Sequence, residues 1–175
     1  MVTRVRWPPG TKPPPNRVEI VNRHKAGKAH TKRLLTKARA FLEALELVGV
    51  ELCVTLTGDE EIQSLNREWR RKDKPTDVLS FPGGEPAVRV SGEPEVLGDI
   101  VISLDTTKRQ AKEESRTVAE ELDRYLAHGL LHLLGHDHHQ KKEAALMGSL
   151  EEHLLGGTGM VTDALGAPKK KRRAR

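Results

Sequence analysis

The stretch HGLLHLLGHDH, residues 128–138, decides how this chain is interpreted, because it joins a helical pattern to four of the protein's eight histidines. His128 and His132 lie four residues apart in a leucine-rich run, so on an α-helix they share one face, about 40° apart around the axis. Gly135 follows, and glycine is the residue that most easily ends a helix in the left-handed conformation. The chain can then turn back and bring His138 to the same point.

Three neutral imidazoles that leave a fourth position open are typical of a catalytic zinc site rather than of a closed structural one. Nitrogen ligands without thiolate also suit nickel, copper or iron, but availability and hydrolytic geometry favour zinc, one ion per chain. The alternative is a helix that carries histidines by chance, and the spacing argues against it. We therefore predict that His128, His132 and His138 bind a metal ion.

The other polar residues of the stretch have weaker assignments. Asp137 is next to a predicted ligand and could hold an imidazole in the required tautomer. An ordinary turn aspartate is an equally good interpretation. His136 and His139 do not fit the ligand spacing, so we expect them to face solvent.

The spacing His-x3-His-x2-Gly-x2-His is also that of the metzincin metallopeptidases, so the predicted helix is metzincin-like. Those enzymes carry a glutamate directly after the first histidine, and a peptidase needs such a general base beside its metal and water. Here the position is Gly129, which has no side chain. The sequence therefore argues against a peptidase.

The rest of the chain predicts an α/β (α+β) fold, a mixed four-stranded sheet packed against four to five helices. Strands are predicted at 17–22, 50–57, 77–81 and 97–104, the last apolar enough to be central. Helices are predicted at 31–48, 58–70, 106–116, 118–134 and 139–155. Gly49 is expected to end the first helix, and a capping box of Thr57 and Glu60 to open the second.

A single domain is expected over residues 17–157, between a flexible Pro-rich basic extension (1–16) and a flexible basic tail (158–175). No apolar run approaches the ~20 residues of a bilayer span, and the N-terminus lacks the apolar segment of a secretory signal. Cys53 is expected to be a buried, inert thiol, which is compatible with a reducing compartment. We therefore expect a cytoplasmic protein without membrane contact.

Charge is distributed unevenly along the chain. Residues 1–39 contain eleven Lys or Arg and one acid, residues 169–175 contain six basic residues, and residues 40–168 have a net charge of −11. Basic arms on an acidic body suggest contact with RNA, although a solvated tail is an equally good interpretation of the charge. Two Phe, two Trp and one Tyr are too few for an extended base-stacking platform. RNA contact is therefore expected to be through phosphates.

Inside the acidic body, LNREWRRKDKPTDVLSFP (65–82) contains the basic run RRKDK. Arg70 is predicted to end a helix, where its guanidinium could hold a phosphate bidentately near the metal. Arg71, Lys72 and Lys74 are further candidates for RNA binding. A solvated helix end, with cations that complement the helix dipole, is the simpler interpretation of these residues alone.

Taken together, HGLLHLLGHDH, LNREWR…KPTDVLSFP and LGDIVIS resemble the YbeY family of rRNA maturation factors, over roughly residues 17–155. The resemblance implies a metal-dependent, single-strand-specific endoribonuclease that acts in 16S rRNA 3′-end maturation and ribosome quality control. It implies a zinc ion on His128, His132 and His138. It also implies that Arg70, which matches the arginine of the family pattern LN-x2-W/Y-R, is important for activity. The Pro-rich N-terminus, the KKKRRAR tail and His136, where the family often has an aromatic residue, depart from the pattern.

The expectation is thus a zinc-dependent hydrolase of RNA phosphodiester bonds, with Arg70 and His128 as catalytic residues. The sequence leaves open whether water or the RNA's own 2′-OH is the nucleophile. The expected partners are rRNA in the small ribosomal subunit and, beyond RNA, ribosomal proteins. The alternative is a ribosome-assembly factor whose zinc is structural and which does not itself cleave RNA.

Overall fold

The structure, a computed structural model, describes residues 7, 10–84, 92–136 and 141–156, with only the backbone of 141 and 142. Within them, strands and helices follow the order β1, α1, β2, α2, β3, β4, α3, α4, α5. The strands are β1 (Arg17–Asn22), β2 (Val50–Thr57), β3 (Val78–Pro82) and β4 (Glu95–Ser103). The helices are α1 (Lys28–Ala44), α2 (Asp59–Arg70), α3 (Leu104–Glu113), α4 (Val118–Leu133) and α5 (Lys141–Leu154).

The four strands form one mixed sheet in the order β1-β2-β4-β3. β1, β2 and β4 are parallel, whereas β3 pairs antiparallel with β4 and forms an edge of the sheet. The predicted fold class is confirmed, and so is the central place of the strand that contains LGDIVIS.

Successive side chains of a strand point to opposite faces of the sheet, so the hydrophobic core has one part on each face. Ile100 and Ile102 of β4 face the larger core, which also contains α1 and α4. Val101 faces the opposite side and packs with Ile62 of α2 and Leu79 of β3. α4, the predicted metal helix, therefore lies on one face of the sheet and α2 on the other.

The first helix ends earlier than predicted. Glu46 adopts a left-handed conformation with φ +54°, and the Leu47 amide donates to the Leu42 carbonyl at 2.9 Å. This is a Schellman ending with glutamate in the place of the usual glycine. Leucines after the last helical turn continue the apolar pattern, so the predicted ending at Gly49 was wrong.

The capping box predicted at Thr57 is also wrong. Thr57 is the last residue of β2, and its hydroxyl donates to Glu61 instead of capping α2. Gly58 is the N-cap of that helix, without a side-chain cap. Asp105 of α3 accepts a hydrogen bond from the first amide, that of Asp59, at 3.1 Å.

The single cysteine is less buried than expected. Cys53 lies on the face of β2 opposite the larger core and is half-buried. Partial burial raises the pKa of the Cys53 thiol, and the neighbouring carboxylate of Asp99 raises it further by a smaller amount. The thiol therefore stays protonated and unreactive at neutral pH, as the sequence suggested.

Within the described ranges, no helix combines the length and the apolar character that a bilayer crossing requires.

Candidate metal and RNA site

The helix that carries the predicted ligands is defined at both ends by its own sequence. Thr117 and Glu120 form a reciprocal capping box at the start of α4. At the other end, Gly135 has φ +85°, the Gly135 amide donates to His132, and the His136 amide donates to Leu131, both at 3.0 Å. This Schellman motif ends the helix and turns the chain, as the sequence predicted.

His128 and His132 converge on one point of the last turns of α4. Their Nε2 atoms are 3.0 Å apart, and the two rings are nearly perpendicular, at 79°. Two nitrogens bound to one tetrahedral zinc ion at the usual bond length are about 3.3 Å apart. The donor set and its spacing therefore fit a zinc ion at the end of these two side chains.

A carboxylate that the sequence did not single out holds the first of these rings. Glu151 of α5 lies 2.7 Å from Nδ1 of His128. An ionised carboxylate only accepts hydrogen bonds, so Nδ1 carries the proton and Nε2 presents its lone pair towards His132. The general rule that metal-bound histidines hydrogen-bond to carboxylates could have prompted a search of the last helix. Spacing alone could not have chosen Glu151 over Glu152.

The third predicted ligand, His138, and its neighbours Asp137 and His139 lie outside the described residues. In the part of the chain that the structure describes, no group of three histidine, cysteine or acidic side chains is arranged for a metal ion. The His128–His132 pair therefore gives two of the three predicted ligands, and the role of His138 remains a prediction.

The histidine pair opens into a pocket of about 680 Å³. Its wall is formed by the end of α4, by the start of β3 and by the end of α2 with the loop that follows. The lining residues are Arg70, Lys72, Thr76, Asp77, Val78, Ser80, His128, His132, Gly135 and His136. The structure thus brings two of the four basic candidates, Arg70 and Lys72, to the histidines. It leaves Arg71 and Lys74 exposed outside the lining.

The loop that carries these basic residues is held by a buried amide. The Asn66 side chain donates from Nδ2 to the Lys74 carbonyl at 2.8 Å, and the main-chain carbonyl of Asn66 accepts from the Lys72 amide at 3.2 Å. Arg71 ends the helix in the left-handed conformation, φ +57°. The chain therefore turns away from α2 directly after Arg70, around the β3 edge and into the pocket.

Gly129, whose missing side chain argued against a peptidase, also has a packing role. A Cβ atom there would lie 2.8 Å from Ile100 Cγ2 and 3.1 Å from Ser80 Oγ. The Ser80 hydroxyl instead donates to the Gly129 carbonyl at 3.2 Å. A glutamate at this position would meet the sheet, so the peptidase base is both absent and sterically excluded.

His136 is not the solvent-facing residue that the sequence predicted. It is 7% exposed and lines the pocket, because the Schellman turn directs the chain inward directly after Gly135. Burial lowers the pKa of His136, which keeps the ring neutral at neutral pH. Its buried Nε2 finds no hydrogen-bond partner among the described residues.

Comparison with known proteins decides the family. The sequence model of the family described as Endoribonuclease YbeY matches residues 18–159. The chain belongs to the YbeY family. The match covers the described elements from Val18 onwards, and so includes both the histidine pair and the basic loop.

Curated relatives carry the same description. A Myxococcus xanthus endoribonuclease YbeY is 56% identical over 160 residues, which is 91% of this chain and 54% of that protein. One from Anaeromyxobacter sp. is 49% identical, over 85% of this chain and 75% of that protein, and one from Aquifex aeolicus is 44% identical, over 83% and 93%. The match thus spans about half the length of the Myxococcus protein.

A solved structure shows a similar fold. The solution structure of a Thermotoga maritima protein aligns with a TM-score of 0.52 and 26% identity, over 89% of this chain and 99% of that one. A fold similar to the one that positions His128 and His132 is therefore found in an experimental structure of similar length.

Proposed function

We propose that this protein is a zinc-dependent endoribonuclease that cleaves single-stranded RNA, with His128, His132 and His138 as the metal ligands. The observation that carries the proposal is one pocket that is lined both by the histidine pair, whose Nε2 atoms converge, and by Arg70 and Lys72. Nitrogen donors beside two cations, in a cavity of about 680 Å³, suit a phosphodiester that approaches a metal ion. Membership of a family named for endoribonuclease activity supports the same substrate.

When bound, zinc supplies a Lewis acid that polarises a phosphoryl oxygen and lowers the pKa of water. The chain itself supplies the rest of the charge stabilisation. The Arg70 guanidinium can hold two phosphate oxygens in a bidentate contact, and the Lys72 ammonium adds a second positive charge in the same pocket. Both cations thus neutralise negative charge that develops on the phosphate during cleavage.

The openness of the pocket favours catalysis over a purely structural zinc ion. Structural zinc sites close the metal inside four protein ligands. Here His128 and His132 line a cavity that is accessible from solvent and large enough for a phosphodiester. The assembly-factor alternative therefore has less support from the geometry than the enzyme does.

We assign the activity to rRNA processing, specifically to 16S rRNA 3′-end maturation and ribosome quality control on the small subunit. The support is the family match over residues 18–159. This role would place the protein in the cytoplasm, with rRNA and ribosomal proteins as partners. The product ends would identify the nucleophile, because attack by the 2′-OH leaves a 2′,3′-cyclic phosphate and attack by water does not.

Replacement of Arg70 by alanine tests the proposal. We expect Arg70→Ala to lower the rate of single-stranded RNA cleavage about 10²- to 10³-fold, the usual cost of losing one charge-stabilising donor. The melting temperature should hardly change, because the side chain is exposed. Arg71→Ala is the matched control, since Arg71 is also exposed but lies outside the pocket lining. An Arg70→Ala protein that cleaves RNA as fast as the wild type would contradict the proposal.

A further inference from the structure

The most exposed large apolar side chain of the described residues belongs to the residue directly before Arg70, which lines the metal pocket. Trp69 is 64% exposed, although an indole is normally buried where it can be. Its ring contacts Phe81, whose side chain lies on the α2 face of the sheet, opposite the face of Ser80 and the histidine helix. The indole thus lies at the β3 edge of the sheet, on the α2 face, one residue from the Arg70 side chain that reaches the pocket.

The indole is held in orientation but is not covered. The ring centroids of Trp69 and Phe81 are 5.9 Å apart, and the ring planes meet at 70°. An edge contact of this kind fixes the ring and can occupy at most one of its faces. The Phe81 side chain is itself anchored against the small core of Ile62, Leu79 and Val101. A flat aromatic face therefore stays available to a ligand.

The charged residues next to the indole in the sequence indicate which kind of ligand binds there. Residues 67–74 contain five basic residues and two acids, and the basic members Arg70 and Lys72 reach the pocket. The other large exposed apolar residues of the described chain are Val48, before β2, and Val96, near the start of β4 beside Gly83. The indole is thus the one large apolar side chain of a basic segment, which contrasts with the mainly apolar centre of a protein-docking hot spot. A negatively charged ligand with a planar ring fits this surface.

We propose that Trp69 stacks one unpaired base of the RNA, next to the phosphate that Arg70 holds. The inference rests on the proposed function and adds the source of single-strand selectivity. In a duplex each base is already stacked and paired, so it cannot lie on the indole, whereas a base in a single strand can. Phosphate contacts alone would not distinguish the two forms. The scarcity of aromatics excludes an extended platform but not this single-base one.

Because the chain has two tryptophans, tryptophan fluorescence can report stacking of a base on Trp69 directly. Trp7 donates from Nε1 to the Val48 carbonyl, far from the pocket, so Trp7→Phe leaves Trp69 as the only indole fluorophore. We expect an unstructured nine-nucleotide RNA, mixed in a stopped-flow instrument before cleavage occurs, to quench this fluorescence. The same sequence as a duplex, or as a strand with abasic sites, should not. In Trp69→Phe, where only Trp7 remains, no quenching should occur.

Affinity measurements complete the test. We expect Trp69→Ala to weaken binding of the single-stranded RNA about 5- to 100-fold, the range for loss of one stacked base. Trp69→Phe, which keeps an aromatic face, should recover most of the affinity. Affinity for the abasic strand, which keeps every phosphate, should be unchanged in Trp69→Ala. A general disturbance of the site would lower it and would overturn the inference.

Failure of this inference is distinguishable from failure of the proposed function. If the wild type binds and cleaves single-stranded RNA and Trp69→Ala does so equally well, only the stacking role is wrong, and the indole is left as a surface for a protein partner. If the wild type neither binds nor cleaves single-stranded RNA, both proposals are wrong.

Discussion

At the residue scale, the contact between Glu151 and His128 determines which nitrogen of the His128 ring points towards His132. The carboxylate fixes the proton on Nδ1, so that Nε2 faces His132 with its lone pair at 3.0 Å from the second nitrogen. Hydrogen bonds from metal-bound histidines to carboxylates typically contribute 10- to 100-fold to metal affinity or activity. Glu151 is therefore a positioning residue for the proposed metal site.

Removal of this carboxylate should weaken zinc binding. We expect Glu151→Ala to lower zinc affinity about 10- to 100-fold, because the His128 ring loses its fixed tautomer and orientation. Competition with a zinc-binding dye measures this without any activity assay. Glu152→Ala, at the exposed neighbouring position, should bind zinc as the wild type does. Equal affinities in the two variants would show that the Glu151 contact does not serve the metal.

Some residues of the site could be predicted from the sequence, and others could not. The His128–His132 pair and Gly135 were predictable because helical spacing and glycine chemistry are local properties. Glu151 and the burial of His136 were not, since both depend on where α5 and the turn after α4 pack in three dimensions. Trp69 was visible in the sequence, but its exposure was not.

At the scale of elements, the approach of α4 to the sheet sets the depth of the pocket. Gly129 lets the helix lie directly against Ile100 of β4 and Ser80 of β3. A helical glycine normally costs about 1 kcal/mol relative to alanine. Here the cost is offset because a larger residue would push the histidine-bearing helix away from β3.

Alanine at two helical glycines should therefore have opposite effects. We expect Gly129→Ala to destabilise the protein by about 1–3 kcal/mol through overpacking. Gly148→Ala in α5, where a Cβ atom would meet nothing within 4 Å, should stabilise it by about 0.5–1 kcal/mol. Urea unfolding of both variants gives the two signs. A stabilised Gly129→Ala protein would show that the helix can move off the sheet without cost.

The start of α2 depends on an ionised carboxylate. The hydrogen bond from Thr57, together with Arg23, lowers the pKa of Glu61 below its usual range. A group whose pKa is lower in the folded state stabilises the fold above the pKa of the unfolded chain. That contribution is lost as the pH falls through the folded value.

Replacement of this carboxylate should change the acid stability of the fold. We expect Glu61→Gln to be less stable than the wild type at pH 7, with a difference that shrinks progressively below about pH 4.5. Urea unfolding between pH 3 and pH 7 measures it, with Glu60→Gln at the exposed adjacent position as the control. A difference that does not vary with pH would mean that the ionised form has no special role.

Helices and strands were predictable where pattern and end signals agree. α4 was placed to within one residue because an apolar face runs along its whole length and a glycine follows its last turn. The end of α1 was misplaced because Glu46, a residue with no turn signature, takes the left-handed position. The α2 cap was misassigned because the Thr57 hydroxyl donates to Glu61 instead of accepting from the first turn of α2, a choice of partner that the sequence does not show.

At the scale of the whole molecule, the sheet order explains why distant motifs form one site. β3 pairs with β4 at the edge, so the loop after α2 and the end of α4 meet across it. The sequence predicted the mixed four-stranded sheet but could not give the order β1-β2-β4-β3, because strand pairing is set by non-local packing. The proximity of Arg70 to the histidines could therefore be suspected from the sequence but not shown.

Metal analysis joined to RNA cleavage tests the central claim most directly. The purified full-length protein should contain about one zinc per chain, as three protein ligands with one open position require. A chelator should abolish cleavage of single-stranded RNA, and stoichiometric zinc should restore it. Undiminished cleavage by protein shown to be free of metal would contradict the account.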